Sequence, residues 1–148
     1  LYEGGIRVPF IAWWPGQIAK GTVCDYPGAT YDLFATFCDA ADAPVPEHTD
    51  GVSLMPLLRG RDLPQRDFLY WEIYEGDRNP KQAVRVGDWK LHRFRFDSEQ
   101  DQELELYHLG RDPMEVNDVK TEHPGVVKQL LQILEREHAE YGYANVEK

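Results

Sequence analysis

Apolar positions along the chain change period several times, and each change marks an element. Residues 8–14, VPFIAWW, form a nearly unbroken apolar run between Gly4-Gly5 and Pro15-Gly16, the pattern of a buried strand closed by a turn. Pro9 suits only the first residues of such a strand. Over residues 30–41 the spacing becomes helical: Leu33, Phe34, Phe37, Ala40 and Ala41 share one face, Asp32 stands in the first turn, and Pro44 and Pro46 stop the helix. DGVSLMPLLRG, residues 50–60, predicts a short helical turn with Leu54, Leu57 and Leu58 inward. Strand patterns then dominate at residues 68–74, 83–86, 89–96 and 103–109, with Gly87-Asp88 as a hairpin turn, and together they predict a small antiparallel sheet. A last helix opens at Pro124, carries Val126, Val127, Leu130, Leu131, Ile133 and Leu134 as an apolar stripe toward Tyr141, and ends at Gly142.

Composition narrows the class without assigning a role. With 42% hydrophobic and 28% charged residues in 148, the chain is able to bury a core and lacks the signature of disorder. The 16 basic and 26 acidic residues leave a formal charge of −10, so nucleic acid and anionic membranes are repelled on average. No apolar run approaches the roughly 20 residues that cross a bilayer. Without an initiator Met or a leader, the chain is expected to begin at a cut.

Residue chemistry taken alone assembles no active site. The five histidines, His48, His92, His108, His123 and His138, are never closer than 15 residues, which leaves no helical ligand pair. Asp97, Glu99, Asp101 and Glu103 alternate like a calcium loop but lack its glycine and its closing glutamate, so a solvated hairpin loop is the better reading. Neither Ser53 nor Ser98 sits at a nucleophile elbow. Cys24 and Cys38, 14 apart, make neither a CxxC pair nor a disulfide framework, and no base stands beside Cys24 in the sequence.

The order of several unusual segments carries more. YEGGIRVP (2–9), WPG (14–16), YDLFAT (31–36), DGVSLMPLLRG (50–60), YWE (70–72), AVRVGDWKL (83–91) and ELYHLGRDPMEVND (105–118) succeed one another. Together they resemble the C-terminal portion of the sulfatase family, related to arylsulfatases and N-acetylgalactosamine-6-sulfatases, over nearly the whole chain. Ala35 stands where the family often has proline, and residues 77–82 look like an insertion.

That resemblance implies an alkaline-phosphatase-like α/β fold, α+β within this chain. Residues 1–66 would be the end of the catalytic domain, holding a remnant strand and helix of its large sheet. Residues 67–148 would form a small four-stranded antiparallel sheet with a C-terminal helix. The implied activity is sulfuric-ester hydrolysis of a sulfated sugar or aryl sulfate, using formylglycine and calcium. The family's substrate-contacting lysine, its Cys/Ser-x-Pro-x-Arg nucleophile motif and its Asp and Asn calcium ligands would all precede Leu1. Cys24 does not match that motif, so no catalytic, metal or cofactor residue is assigned to this chain, which alone is expected to be inactive.

Trp71, Glu72 and Tyr74 would approach the substrate cleft, where an aromatic face with a carboxylate suits sugar stacking and hydroxyl recognition, core packing being the alternative. Glu3 and Arg7 are read as framework beside the site, Arg7 anchoring Glu3 or a neighbouring loop, and Arg78 and Lys81 as charges able to meet a sulfated substrate, with plain surface charge the simpler account. The lone strand at residues 8–14 favours self-association, and export is expected from the family. Two other readings stand beside this one: a non-catalytic carbohydrate-binding or assembly module, and a phosphoesterase or phosphonate hydrolase of the same superfamily.

Overall fold

A computed structural model describes residues 1–74, 79–98 and 100–139. In chain order these hold α1 (Glu3–Ile6), α2 (Asp32–Ala40), α3 (Met55–Leu58), β1 (Leu69–Tyr74), β2 (Pro80–Val86), β3 (Trp89–Phe94), β4 (Glu103–His108) and α4 (Pro124–Glu137). The α+β class, the four-stranded sheet and its helix are as the sequence predicts. The chain divides into two compact units, one of residues Pro9–Arg66 and one that joins Leu1–Val8 to the residues from Asp67 onward.

The sheet is an antiparallel meander in the order β1-β2-β3-β4. Gly87, at φ 56°, and Asp88 make the tight turn that sets Val86 opposite Trp89. β2 starts at Pro80 rather than Ala83, because Lys81 and Gln82 pair with Ile73 and Glu72 of β1. Pro80, with no backbone N–H to offer the ladder, takes the first position. β3 stops at Phe94 rather than residue 96, where Arg95 turns the chain at a left-handed φ of 49°. The outer edge of β4 is covered: the Leu106 N–H donates to Asp118 Oδ1 at 3.0 Å, and the Leu106 carbonyl accepts from the Val119 N–H at 2.9 Å.

α4 opens with Pro124 in its first turn and lays Leu130 and Leu134 on Val84, Leu91 and Leu106. It ends at Glu137, where His138 takes an extended backbone (φ −63°, ψ 121°), short of the expected reach to Tyr141 and stop at Gly142. Asp77, Arg78 and Glu99 lie outside the described residues. Consecutive residues Lys90, Leu91 and His92 are all buried, so both faces of the sheet are covered. One face receives α4. The other receives α1 and the segment that carries Glu115.

In the unit of residues Pro9–Arg66, the buried Asp32 is the hub. Its carboxylate accepts the N–H groups of Ala29 (2.7 Å) and Val52 (2.9 Å) and the Arg66 guanidinium (2.6 Å). Thr36 extends the hub, accepting the Leu54 N–H at 2.9 Å. A Cβ on Gly51 would lie 2.3 Å from the Tyr31 carbonyl oxygen, so only glycine fits there.

Two expectations fail in this region. The helical period of α2 is right but the buried face is wrong. Asp32, Ala35 and Thr36 turn inward while Phe34 (54% exposed) and Phe37 (65%) face outward, because the Asp32 and Thr36 hydrogen bonds set the rotation of the helix. Residues 8–14 form no strand, having no ladder partner among the described residues, and Ile11 (87%) and Trp13 (83%) are exposed.

Leu134→Ala removes a side chain with no exposed surface from the α4 core. Its expected cost is about 2–5 kcal/mol of unfolding free energy, read from urea denaturation followed by tryptophan fluorescence.

Candidate functional site

Strand alternation puts Lys90, His92 and Tyr107 on the sheet face away from α4. A lysine ammonium taken out of water there must be paired. Lys90 Nζ, 0% exposed, donates to Glu3 Oε1 at 2.8 Å and lies 3.1 Å from Glu115 Oε1. Glu115 Oε1 also accepts from His92 Nε2 at 2.7 Å, and Glu115 Oε2 accepts the Glu3 backbone N–H at 2.5 Å. Arg85 adds a weaker approach to Glu3 Oε2 at 3.9 Å. The Tyr2 ring packs against His92 with centroids 4.6 Å apart. Its hydroxyl donates to Glu105 Oε2 at 2.5 Å, and the same oxygen accepts from Tyr107 at 3.0 Å.

The groups in direct ion-pair contact balance when His92 is neutral, Lys90 and Arg85 facing Glu3 and Glu115, while the Glu105 carboxylate is held by the Tyr2 and Tyr107 hydroxyls. Burial lowers the His92 pKa below the usual 6.5, and with the Lys90 charge it outweighs the hydrogen bond to Glu115. A neutral ring that donates from Nε2 leaves Nδ1 as an acceptor, and that buried atom finds no partner among the described residues. Burial by itself would raise Glu115, but the donors His92, Glu3 N–H and Lys90 prevail and hold it below 4.5. Burial and the Glu105 carboxylate push both Tyr2 and Tyr107 up.

A second cluster occupies the α4 face. Glu72 Oε2 accepts from the Tyr70 hydroxyl, from Gln82 Nε2 at 2.8 Å and from His138 Nδ1 at 2.9 Å. Burial would raise the Glu72 pKa, yet these donors and Tyr74 outweigh it and lower it. Tyr74, 49% exposed, stands edge-on to Phe96 with centroids 5.6 Å apart.

Of the three residues expected near substrate, Glu72 and Tyr74 thus share a face, while Trp71 points to the other, where the Lys90 ammonium lies 5.8 Å from its ring centroid. Glu3 sits in the buried cluster, but its carboxylate partner is Lys90 and not Arg7. Arg7 is exposed and meets Glu3 through a backbone N–H···O=C bond of 2.9 Å, since β3 delivers a desolvated ammonium that the flexible arginine does not match. Sequence reasoning missed Lys90, His92 and Glu115 as a group. The available signal was a cation and an imidazole flanking Leu91 in a strand with apolar residues on both sides. Lys81 lies half-buried in β2. Cys24 and Cys38 are free thiols. Among the described residues no group of three or more His, Cys, Asp or Glu is arranged to hold a metal ion, and no helix is long and apolar enough to cross a membrane.

Residues 1–140 match the family described as N-sulphoglucosamine sulphohydrolase, C-terminal. The chain is 30% identical to the N-acetylgalactosamine-6-sulfatase of Canis lupus familiaris across 91% of its own length and 31% of that protein. It also resembles a structure solved in complex with its substrate D-glucosamine-2-N,6-O-disulfate, with a TM-score of 0.70, 30% identity, and coverage of 83% of this chain and 26% of that one. A phosphonate monoester hydrolase of Agrobacterium radiobacter is more distant, with a TM-score of 0.56, 25% identity, and coverage of 74% and 25%. The chain therefore spans about a third or less of the proteins it matches.

Acidification should loosen the Lys90 cluster. Because His92 is held below 6.5 in the fold, the unfolded chain takes up that proton first, so its contribution is full above 6.5 and is withdrawn as the pH falls through the lower folded value. Glu115, held below 4.5, withdraws a second contribution in the more acid range. The urea midpoint is expected to fall from about pH 7 to about pH 5.5 and again below about pH 4.5, with the first step absent in His92→Gln. A midpoint that is flat or rises over the first interval would show that His92 is not held neutral.

Proposed function

This chain belongs to the family of sulfatase C-terminal portions that its residues 1–140 match, and we propose that the whole enzyme hydrolyses the sulfate ester of a sulfated sugar. The carrying observation is the continuous family match, supported by the likeness to a structure that holds a disulfated glucosamine. Phosphonate ester hydrolysis is the second reading, favoured by one more distant structural neighbour.

Breaking an S–O bond moves negative charge onto the sulfuryl oxygens and the leaving group, which calls for uncommitted cations or a metal. In the described residues Lys90, Arg66 and Arg93 are each engaged with carboxylates. No cluster there suits a calcium ion, and Cys24 lies outside the formylglycine motif, so these residues fit neither group. On this reading both belong to the remainder of the enzyme, and the chain alone turns nothing over. Its part is to supply frame and wall. Tyr74 and Phe96 offer an aromatic surface of the kind that stacks on a sugar ring, with Glu72 held behind it by its own donors. Trp71, packed near Lys90, belongs to the frame.

The full-length enzyme is expected to release sulfate from sulfated glucosamine or galactosamine and from a chromogenic aryl sulfate, and the isolated chain from none of them. Tyr74→Ala should raise KM for the sulfated sugar by about 3- to 10-fold at nearly constant kcat, the loss of about one stacking contact. Hydrolysis of phosphonate monoesters without sulfate release would move the assignment to the second reading. Saturable binding of a sulfated glycan by the isolated chain, abolished by Trp71→Ala, would instead favour a carbohydrate-binding module.

A further inference from the structure

We infer that Glu115 is a positioning residue: it fastens the α1 turn to the sheet and thereby sets the placement of the chain that leads into that turn. Its catalytic consequence rests on the proposed hydrolase reading; the fastening itself does not.

α1 needs an external hold. Its four residues, Glu3-Gly4-Gly5-Ile6, include two glycines, each of which disfavours helix relative to alanine, and neither glycine packs on anything within 4 Å of its would-be Cβ. A helix of one turn has no propagation to offset its nucleation. What holds it is Glu115. One oxygen accepts the Glu3 backbone N–H at 2.5 Å. The other accepts from His92 at 2.7 Å and lies 3.1 Å from Lys90, the same ammonium that grips the Glu3 carboxylate at 2.8 Å. Backbone and side chain of residue 3 are therefore both referred to one carboxylate.

The backbone of Glu115 supplies an independent sign. It sits at φ 55°, a left-handed conformation that glycine adopts without strain and a glutamate does not. The Asp112 carboxylate builds this turn by accepting the N–H groups of Val116 (2.9 Å) and Asn117 (2.8 Å). A turn that would run more easily through glycine is thus used to present a buried carboxylate. With both oxygens committed to internal donors, that carboxylate serves the α1 turn and leaves no place for a ligand. On the proposed hydrolase reading, with residues 1–140 matching a C-terminal family, the remainder of the enzyme would lead into this unit through Leu1 and α1. An α1 that wanders would carry with it whatever the enzyme presents just ahead.

The test uses full-length enzyme and reads two quantities: amide hydrogen exchange in residues 2–7, and steady-state kinetics per folded molecule with sulfated glucosamine. In Glu115→Gln, exchange at residues 2–7 should rise at least about tenfold while the Val84 and Leu91 amides stay slow. kcat should fall by about 100-fold, the scale of a displacement of about 1 Å, with KM within about threefold of the parent value. Glu115→Gly relieves the strained φ, so a purely local turn role predicts a wild-type or improved enzyme, whereas fastening predicts the same loss as Gln. Glu3→Gln, which keeps the backbone bond and weakens only the Lys90 contact, should give intermediate exchange and serves if the Glu115 variants do not fold. Unchanged exchange at residues 2–7, wild-type behaviour of Glu115→Gly, or undiminished kcat in an enzyme whose α1 has been released would each overturn the inference. A parent enzyme that releases no sulfate overturns the hydrolase reading and the catalytic consequence with it, while the exchange arm alone then decides whether Glu115 fastens α1.

Discussion

An ammonium group buried in a sheet must be surrounded by negative charge, since desolvation costs several kcal/mol per ion before any pairing. Lys90 imposes that requirement on this protein, and the second face of the sheet is arranged around it. The two carboxylates that answer it come from Glu3 and Glu115, far apart in the chain. Neither is delivered by the sheet. One arrives on the α1 turn and the other on the segment after β4, so satisfying Lys90 obliges both to close over the strands. A neutral His92, packed under Tyr2, completes the cover without adding a charge that would upset the balance.

The centres of the two sheet faces are consequently held by different physics, the Glu72 cluster lying toward the β1 side of the α4 face. Under α4, Val84, Leu91, Leu106, Leu130 and Leu134 exclude water by non-directional packing, which tolerates small adjustments of the helix. Opposite them, hydrogen bonds of 2.5–2.8 Å demand fixed positions. A face of the first kind gives stability, and one of the second gives registration. That division suits the framing part proposed for this chain, with Lys90 committed to the carboxylates of Glu3 and Glu115.

A buried carboxylate also organises the unit of residues Pro9–Arg66, where Asp32 gathers the Ala29 and Val52 amides and the Arg66 guanidinium. This fixes the rotation of α2 with Ala35 and Thr36 inward and leaves Phe34 and Phe37 outside. Apolar periodicity alone chose the opposite face. Hydrophobic spacing reports which residues are able to share a face, but when a polar hub orients the helix, directional bonds decide which face turns in. The run at residues 8–14 is a related case, because an apolar stretch becomes a strand only where another strand accepts its hydrogen bonds.

Much of the rest was legible locally. Each sheet strand, the Gly87-Asp88 turn and the Pro124 start of α4 follow from alternation, turn chemistry and the missing proline N–H, all properties of neighbouring residues. The ordered segments from Tyr-Glu-Gly-Gly to the Asp-Pro-Met-Glu stretch likewise sufficed to indicate the family. The pairings were not legible. Glu3 was expected to meet Arg7, four residues away, and instead meets Lys90; Trp71 and Glu72, adjacent in sequence, end on opposite faces. Sequence by itself determined the sheet strands, the helices α2 to α4 and the family, because these are written in short-range pattern. Only the tertiary structure decided which charges share a desolvated space, because that depends on distances between distant segments that exist once the sheet has closed.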